Sequence, residues 1–168
     1  MNPPASSSPP IATLVRRVVS IFSLIPDSLI LFLGRFSIAA VFWKSGQTKI
    51  EGIAIDLING EFQLGWPHLS GSAIELFKSE YRLPLIPPEL AAPMAAFAEH
   101  LFPILLLVGF ATRFSALALF IMTMTIQLFV YPDAYPTHGV WATVLLVLIA
   151  KGPGKISLDH WINRRYPS

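Results

Sequence analysis

The chain has 168 residues, of which 54% are hydrophobic and only 13% charged, about half the charged share of an ordinary soluble domain. This excludes a disordered chain, and the 15 prolines and 10 glycines divide the apolar content into several segments rather than one. Twelve Lys+Arg against ten Asp+Glu leave a net charge of +2, too even a balance to argue for a nucleic-acid partner, and the lack of cysteine removes disulfides, thiolate metal sites and iron–sulfur clusters.

Residues 1–10 (MNPPASSSPP) carry no hydrophobic period and predict a disordered tail. No basic region precedes an apolar stretch and no small-residue cleavage site follows one, so the segment does not read as a signal peptide. Over residues 11–25, Ile11, Leu14, Val15, Val18, Val19, Phe22 and Ile25 recur at helical spacing with Arg16 and Arg17 on the other side. That pattern predicts an amphipathic helix lying on a membrane surface.

Pro26-Asp27 reads as a break followed by a helix start, and four apolar segments follow, at about residues 28–46, 88–110, 114–131 and 137–150. At ~1.5 Å per residue each crosses, or nearly crosses, a hydrocarbon layer of ~30 Å. A soluble bundle would need polar helix faces, and stretches such as IMTMTIQLFV and WATVLLVLIA offer none. The expected fold class is therefore all-α: a polytopic four-transmembrane-helix bundle over residues 26–161, preceded by the interfacial helix and followed by a basic tail at 162–168.

Arg16, Arg17, Arg113, Lys151, Lys155, Arg164 and Arg165 fall on one side of the bilayer, and Lys44, Lys49, Lys78 and Arg82 on the other. Seven against four places both termini in the cytoplasm. The outer connection, 47–87, is too long to be a simple link. Its SAIELFKSEY stretch (72–81) predicts a short helix with Ile74, Leu76 and Phe77 turned to the membrane, and Trp66, Tyr81 and the prolines near Leu85 suit the headgroup level. The whole connection is expected to cap the outer mouth of the bundle.

Ionisable groups at membrane depth are costly, so they face the bundle interior and pair. Arg35 lies near the middle of the first span, and Glu99 with His100 near the middle of the second. Matched depth predicts an Arg35–Glu99 pair, which either forms the floor of a binding site or only fixes helix register. Pro103 removes the hydrogen bond to the Glu99 carbonyl and predicts a kink there. Arg35, Ile38, Phe42, Gly46 and Lys49 fall on one stripe at ~100° per residue. Gln127 sits near the outer end of the third span, and His138 opens the fourth with Trp141 three residues on.

The expected ligand-contacting set is Arg35, Lys49, Glu99, His100, Gln127, His138 and Trp141, converging on an aromatic-lined pocket in the outer half of the bundle. A b-type haem between two histidines is a lesser alternative, because the chain has four histidines and His100 and His138 lie at different depths, and so is a metal on Glu99, His100 and His138, since no HxxxH or ExxH spacing occurs. No hydrolase, nucleotide or dinucleotide motif is present, no metal site is assigned, and no residue is assigned a catalytic role.

Several motifs carry a family resemblance. Phe42-Trp43-Lys44-Ser45-Gly46 with Lys49, Glu99 followed by Gly109-Phe110-Ala111-Thr112-Arg113, and Gly152-Pro153-Gly154 with Ser157-Leu158-Asp159 together resemble the DoxX family over about Ser28 to Trp161. The resemblance implies a four-helix protein of the bacterial inner membrane. DoxX-like proteins are named for their similarity to small subunits of a thiosulfate:quinone oxidoreductase, and some are linked to redox or oxidative-stress complexes. It thus implies a redox-linked subunit that binds a quinone or similar amphipathic molecule and takes electrons from a protein partner; whether the chain is itself an enzyme stays open, and it is expected to work with a partner or as a homo-oligomer in the bilayer. The other readings are a small transporter or permease component for a metal, metallophore or polar metabolite, and an assembly subunit whose buried charges merely pair. For Gly109, Arg113, Gly152, Gly154 and Ser157 the expectation is structural: tight turns, helix ends and a helix cap.

Overall fold

A computed structural model describes residues 10–56 and 59–166. Most of the 1–10 tail expected to be disordered lies outside the described residues. The helices are α1 (Pro10–Phe22), α2 (Asp27–Gln47), α3 (Gly71–Leu76), α4 (Pro88–Val108), α5 (Thr112–Phe129), α6 (Tyr135–Lys151) and α7 (Leu158–Arg165). Between α2 and α3 lie strands β1 (Ile50–Asp56) and β2 (Glu61–Leu69); a π-helical turn (Phe77–Tyr81) follows α3 and a 3-10 turn (Pro132–Ala134) precedes α6. The basic pair Arg164 and Arg165, expected in a tail, closes α7.

Among the described residues four helical segments, Asp27–Gln47, Pro88–Val108, Thr112–Phe129 and Pro132–Lys151, are long and apolar enough to cross a membrane. They form a closed ring in which α2 packs on α4, α4 on α5, α5 on α6 and α6 back on α2. Leu31, Ile38 and Phe42 of α2 meet Leu106 of α4, Leu119 of α5, and Leu145 and Leu148 of α6 in the centre. The stripe read from the sequence is the buried one: Arg35, Ile38, Phe42 and Gly46 are all buried in α2, and Lys49 just beyond it. Outward-facing Leu33, Phe36, Phe97, Ile104, Leu117 and Ile121 are exposed, the surface that a bilayer rather than water solvates. Lipid is as apolar as that core, so close packing and polar ties decide how the helices associate.

Gly46 supplies one close approach. A Cβ there would lie 2.7 Å from Cε1 of His100 and 3.1 Å from Cβ of Glu99, so only glycine lets α2 and α4 meet at this level. α4 runs unbroken through Pro93 and Pro103 and ends at Gly109, whose φ of 70° turns the chain into α5.

The 47–87 connection corrects the expectation of an irregular loop with one short helix. β1 and β2 pair antiparallel from Ile50 opposite Leu69 to Asp56 opposite Glu61, with an irregularity between Glu51 and Ile53. The strand signal lies in the sequence, since alternating Ile53, Ile55 and Phe62, Leu64, Trp66 flank an Asn59-Gly60 pair. Phe77 does not turn to the membrane: it is buried with Ala91 and Ala92 of α4, where small side chains admit its ring. Tyr81 stacks edge-on against Tyr131 at 5.8 Å, and the Tyr131 hydroxyl donates to Glu80, fastening this segment to the end of α5.

Candidate functional site

The seven residues expected to converge form three separate groups. Arg35 is tied into the end of the bundle where α4, α5 and α7 meet. Its Nη1 donates to the carbonyls of Leu106 (2.9 Å) and Leu107 (3.3 Å), and its Nη2 donates to the Ile156 carbonyl. The last carbonyls of α4 have no intrahelical partner, and a cation at a helix C-terminus also complements the helix dipole. The expected Arg35–Glu99 pair is therefore absent. Cα depth leaves out the reach of a long side chain, which carries the guanidinium to the last carbonyls of the helix.

The motifs at this end interlock. The Asp159 carboxylate accepts from the amides of Ala111 (2.8 Å) and Thr112 (2.9 Å), capping α5, while the Asp159 amide donates to the Gly109 carbonyl at 2.9 Å. Ser157 caps α7 through the His160 amide at 3.2 Å. A Cβ on Gly109 would overlap Arg35 and Ser157, so this glycine is required for the close approach as well as for its positive φ.

Glu99 has a different partner. Lys49 Nζ lies 2.7 Å from Glu99 Oε2, with both side chains almost wholly buried. Ser45 completes the cluster: its hydroxyl donates to Glu99 Oε1 at 3.1 Å, and Lys49 donates to Ser45 Oγ at 3.1 Å and to the Ser45 carbonyl at 3.2 Å. Lys49 lies past the end of α2 and reaches back along it, one turn from Ser45. The i, i+4 spacing of Ser45 and Lys49 was the available signal for the serine.

His100, next along α4, faces the hairpin. Its Nδ1 lies 2.6 Å from the Ala96 carbonyl and must donate there, so Nε2 accepts from the Gln47 amide at 2.9 Å. Gln47 Oε1 in turn accepts from the Ile55 amide at 2.9 Å, and Trp43 Nε1 donates to the Ile55 carbonyl at 3.2 Å. The network uses the His100 ring as donor at Nδ1 and acceptor at Nε2. It also fastens β1 alongside the last turns of α2. Trp43 packs edge-on against the His100 ring at 5.0 Å.

The third group joins α5 to α6. His138 Nδ1 donates to Gln127 Oε1 at 2.7 Å, and Gln127 Nε2 donates to the Pro132 carbonyl at 2.6 Å. Trp141 lies against His138 and, at 5.8 Å, against Phe42.

Between the hairpin and the outer flank of α2 and α4 runs a groove of about 940 Å³. Its floor is apolar, formed by Phe36, Ala39, Ala40 and Trp43 of α2 and by Ile104 and Leu107 of α4. Polar side chains gather at the hairpin: Lys44, Gln47, Glu51, Glu61, Gln63 and His68. Gln47 connects the groove to His100, the neighbour of Glu99 on α4. The groove lies on the flank of α2 and α4, and of the seven residues expected to line a pocket in the outer half of the bundle none lines it. Sequence reasoning missed Gln47, Gln63 and His68 because the hairpin brings them there.

Outside the spans, burial, then the negative charges of Glu99 and Glu80, hold the Tyr81 phenol above its ordinary pKa against a lowering hydrogen bond from Tyr131. Burial and the Glu80 carboxylate raise Tyr131 further. Both phenols are neutral near pH 7, and Tyr131 is the donor to Glu80.

A ring of four apolar helices, buried charges and an apolar outer surface define a multi-pass membrane protein. The model of the DoxX family matches residues 30–132, and the chain belongs to that family. It is also 36% identical over 141 residues to an uncharacterized protein of Haemophilus influenzae, a match covering 71% of this chain and 93% of the relative. No solved structure matches.

Proposed function

We propose that this DoxX-family membrane protein holds an amphipathic molecule of the quinone class in the groove between the hairpin and α2/α4, as a redox-linked subunit. The observation that carries the reading is the division of the groove into a polar end at the hairpin and an apolar floor running down the helices. A carbonyl-bearing head group meets donors on Lys44, Gln47 and Gln63, while a hydrocarbon tail follows Phe36, Ile104 and Leu107 toward the lipid. About 940 Å³ suits a ring and the first units of its tail. His100 stands behind Gln47, and its ring nitrogens link that side chain to the Ala96 carbonyl of α4. In this reading Lys49 and Glu99 fix the α2–α4 register beside the site, and Arg35 serves the bundle end. A partner protein supplies the electrons.

The excess of Lys and Arg at the α1, α4–α5 and α6–α7 connections supports cytoplasmic termini in a bacterial inner membrane, with the hairpin outside. The test is to purify the protein in mild detergent, extract it with organic solvent and assay the extract for quinone. The reading predicts bound quinone in the native protein and its loss in Ala40→Phe, which fills the groove from an exposed position. No quinone in the native protein, or equal amounts in both, contradicts it.

A further inference from the structure

The hairpin is amphipathic in the sense opposite to that of a hairpin in water. The regular pairing of Ile53–Asp56 with Glu61–Leu64 puts Phe62 and Leu64 on one face of β2 and Glu61 and Gln63 on the other, and Trp66 follows in the irregular stretch. Glu61 and Gln63 line the groove against α2 and α4. Phe62, Leu64 and Trp66 face away from the protein and are 65%, 82% and 90% exposed. In an aqueous setting the large apolar side chains would turn onto the apolar flank of α2 and the carboxylate outward, because about 25 cal/mol per Å² favours that burial.

The position of the hairpin supplies the missing solvent. Ile55 of β1 bonds to Trp43 and Gln47, in the last turns of a candidate span, so the strands lie beside the end of that span rather than projecting beyond it. The exposed face is then continuous with the lipid-facing surface of α2. We infer that Phe62, Leu64 and Trp66 insert into the bilayer interface, so that the hairpin lies in the headgroup layer with lipid on its outer face and the groove beneath it. The outer edge of β2 sets the depth, since backbone amides and carbonyls without a strand partner need water and are not tolerated in the hydrocarbon core. Aromatic rings favour this same layer.

The inference does not depend on what the groove holds. The chain has no cysteine, so single-cysteine variants carry a spin label without background. Leu64→Cys keeps Phe62 and Trp66, and Lys151→Cys, at the far end of α6, gives a reference position. In full-length protein reconstituted into phosphatidylethanolamine/phosphatidylglycerol vesicles, the label at position 64 is expected to collide several-fold more with oxygen than with a water-soluble nickel chelate, relative to the label at 151. Its collision ratio should place it at headgroup to upper acyl depth. Substituting Phe62→Ser and Trp66→Ser in the labelled protein should shift it toward the nickel chelate. A label freely accessible to nickel, one shielded from both relaxers as in a protein interface, or one at the bilayer centre would each overturn the inference. Helicity and gel-filtration profile of the labelled protein show that the variant is folded.

Discussion

Lys49 and Glu99 meet at 2.7 Å across the α2–α4 contact, with Ser45 bonded to both. Isolating one member of such a pair leaves a buried charge without compensation, whereas replacing both removes the desolvation cost together with the attraction. Lys49→Met or Glu99→Gln alone is predicted to cost about 3–5 kcal/mol in unfolding titrations in mixed micelles. The double substitution is predicted to cost much less than the sum of the two. Additive losses would mean the two side chains do not act as a unit.

Gly46 provides a second test of the same contact. Gly46→Ala forces its Cβ to within 2.7 Å of the His100 ring, and overpacking of this kind costs about 1–3 kcal/mol. Gly34→Ala on the same helix is the control, since its Cβ meets Val144 at an ordinary 3.5 Å. Thermal melts in detergent should show a clear drop for the first and a small change for the second.

The limits of the sequence follow from reach and from long-range pairing. Spans and the buried stripe of α2 were legible because helical periodicity is local: Arg35, Ile38, Phe42 and Gly46 are the residues the structure buries. The partner of Glu99 was not, because depth along a helix locates a Cα and Arg35 and Lys49 each extend far from theirs. The groove was hidden for another reason. Its polar end depends on β1 folding back onto Trp43, a contact that the local strand signal of the 47–87 connection does not specify.

Asp159 takes two amides at the start of α5, so Asp159→Ala leaves both without acceptors. The loss should be about 1–2 kcal/mol, the range of a removed helix cap. Asp159→Asn, which keeps one carbonyl acceptor, should fall between it and the native protein. Unfolding midpoints of the three proteins check the order.

The tyrosine pair gives a pH dependence. Tyr81 and Tyr131 have folded pKa values raised above the ordinary ~10 of the unfolded chain. A raised value means that the neutral phenols favour the folded state. Their contribution is complete below pH ~10 and is lost as pH climbs from there through the folded values. Tyrosinate absorbance should show Tyr81 and Tyr131 ionising late, with Tyr131→Phe removing one late step. Titration of both at their ordinary pKa would contradict the contact of Glu80 and Tyr81, in the turn after α3, with Tyr131 at the end of α5.

The central claim is that the groove beneath the hairpin binds a quinone-type amphipath, and Trp43 in its floor is the native reporter. With Trp66, Trp141 and Trp161 replaced by phenylalanine, the remaining fluorescence comes from that residue. Titration with a short-tailed quinone in detergent should quench it saturably, and Ala40→Phe should weaken the apparent affinity at least tenfold. Quenching that rises linearly with quinone, and equally in Ala40→Phe, would contradict the claim.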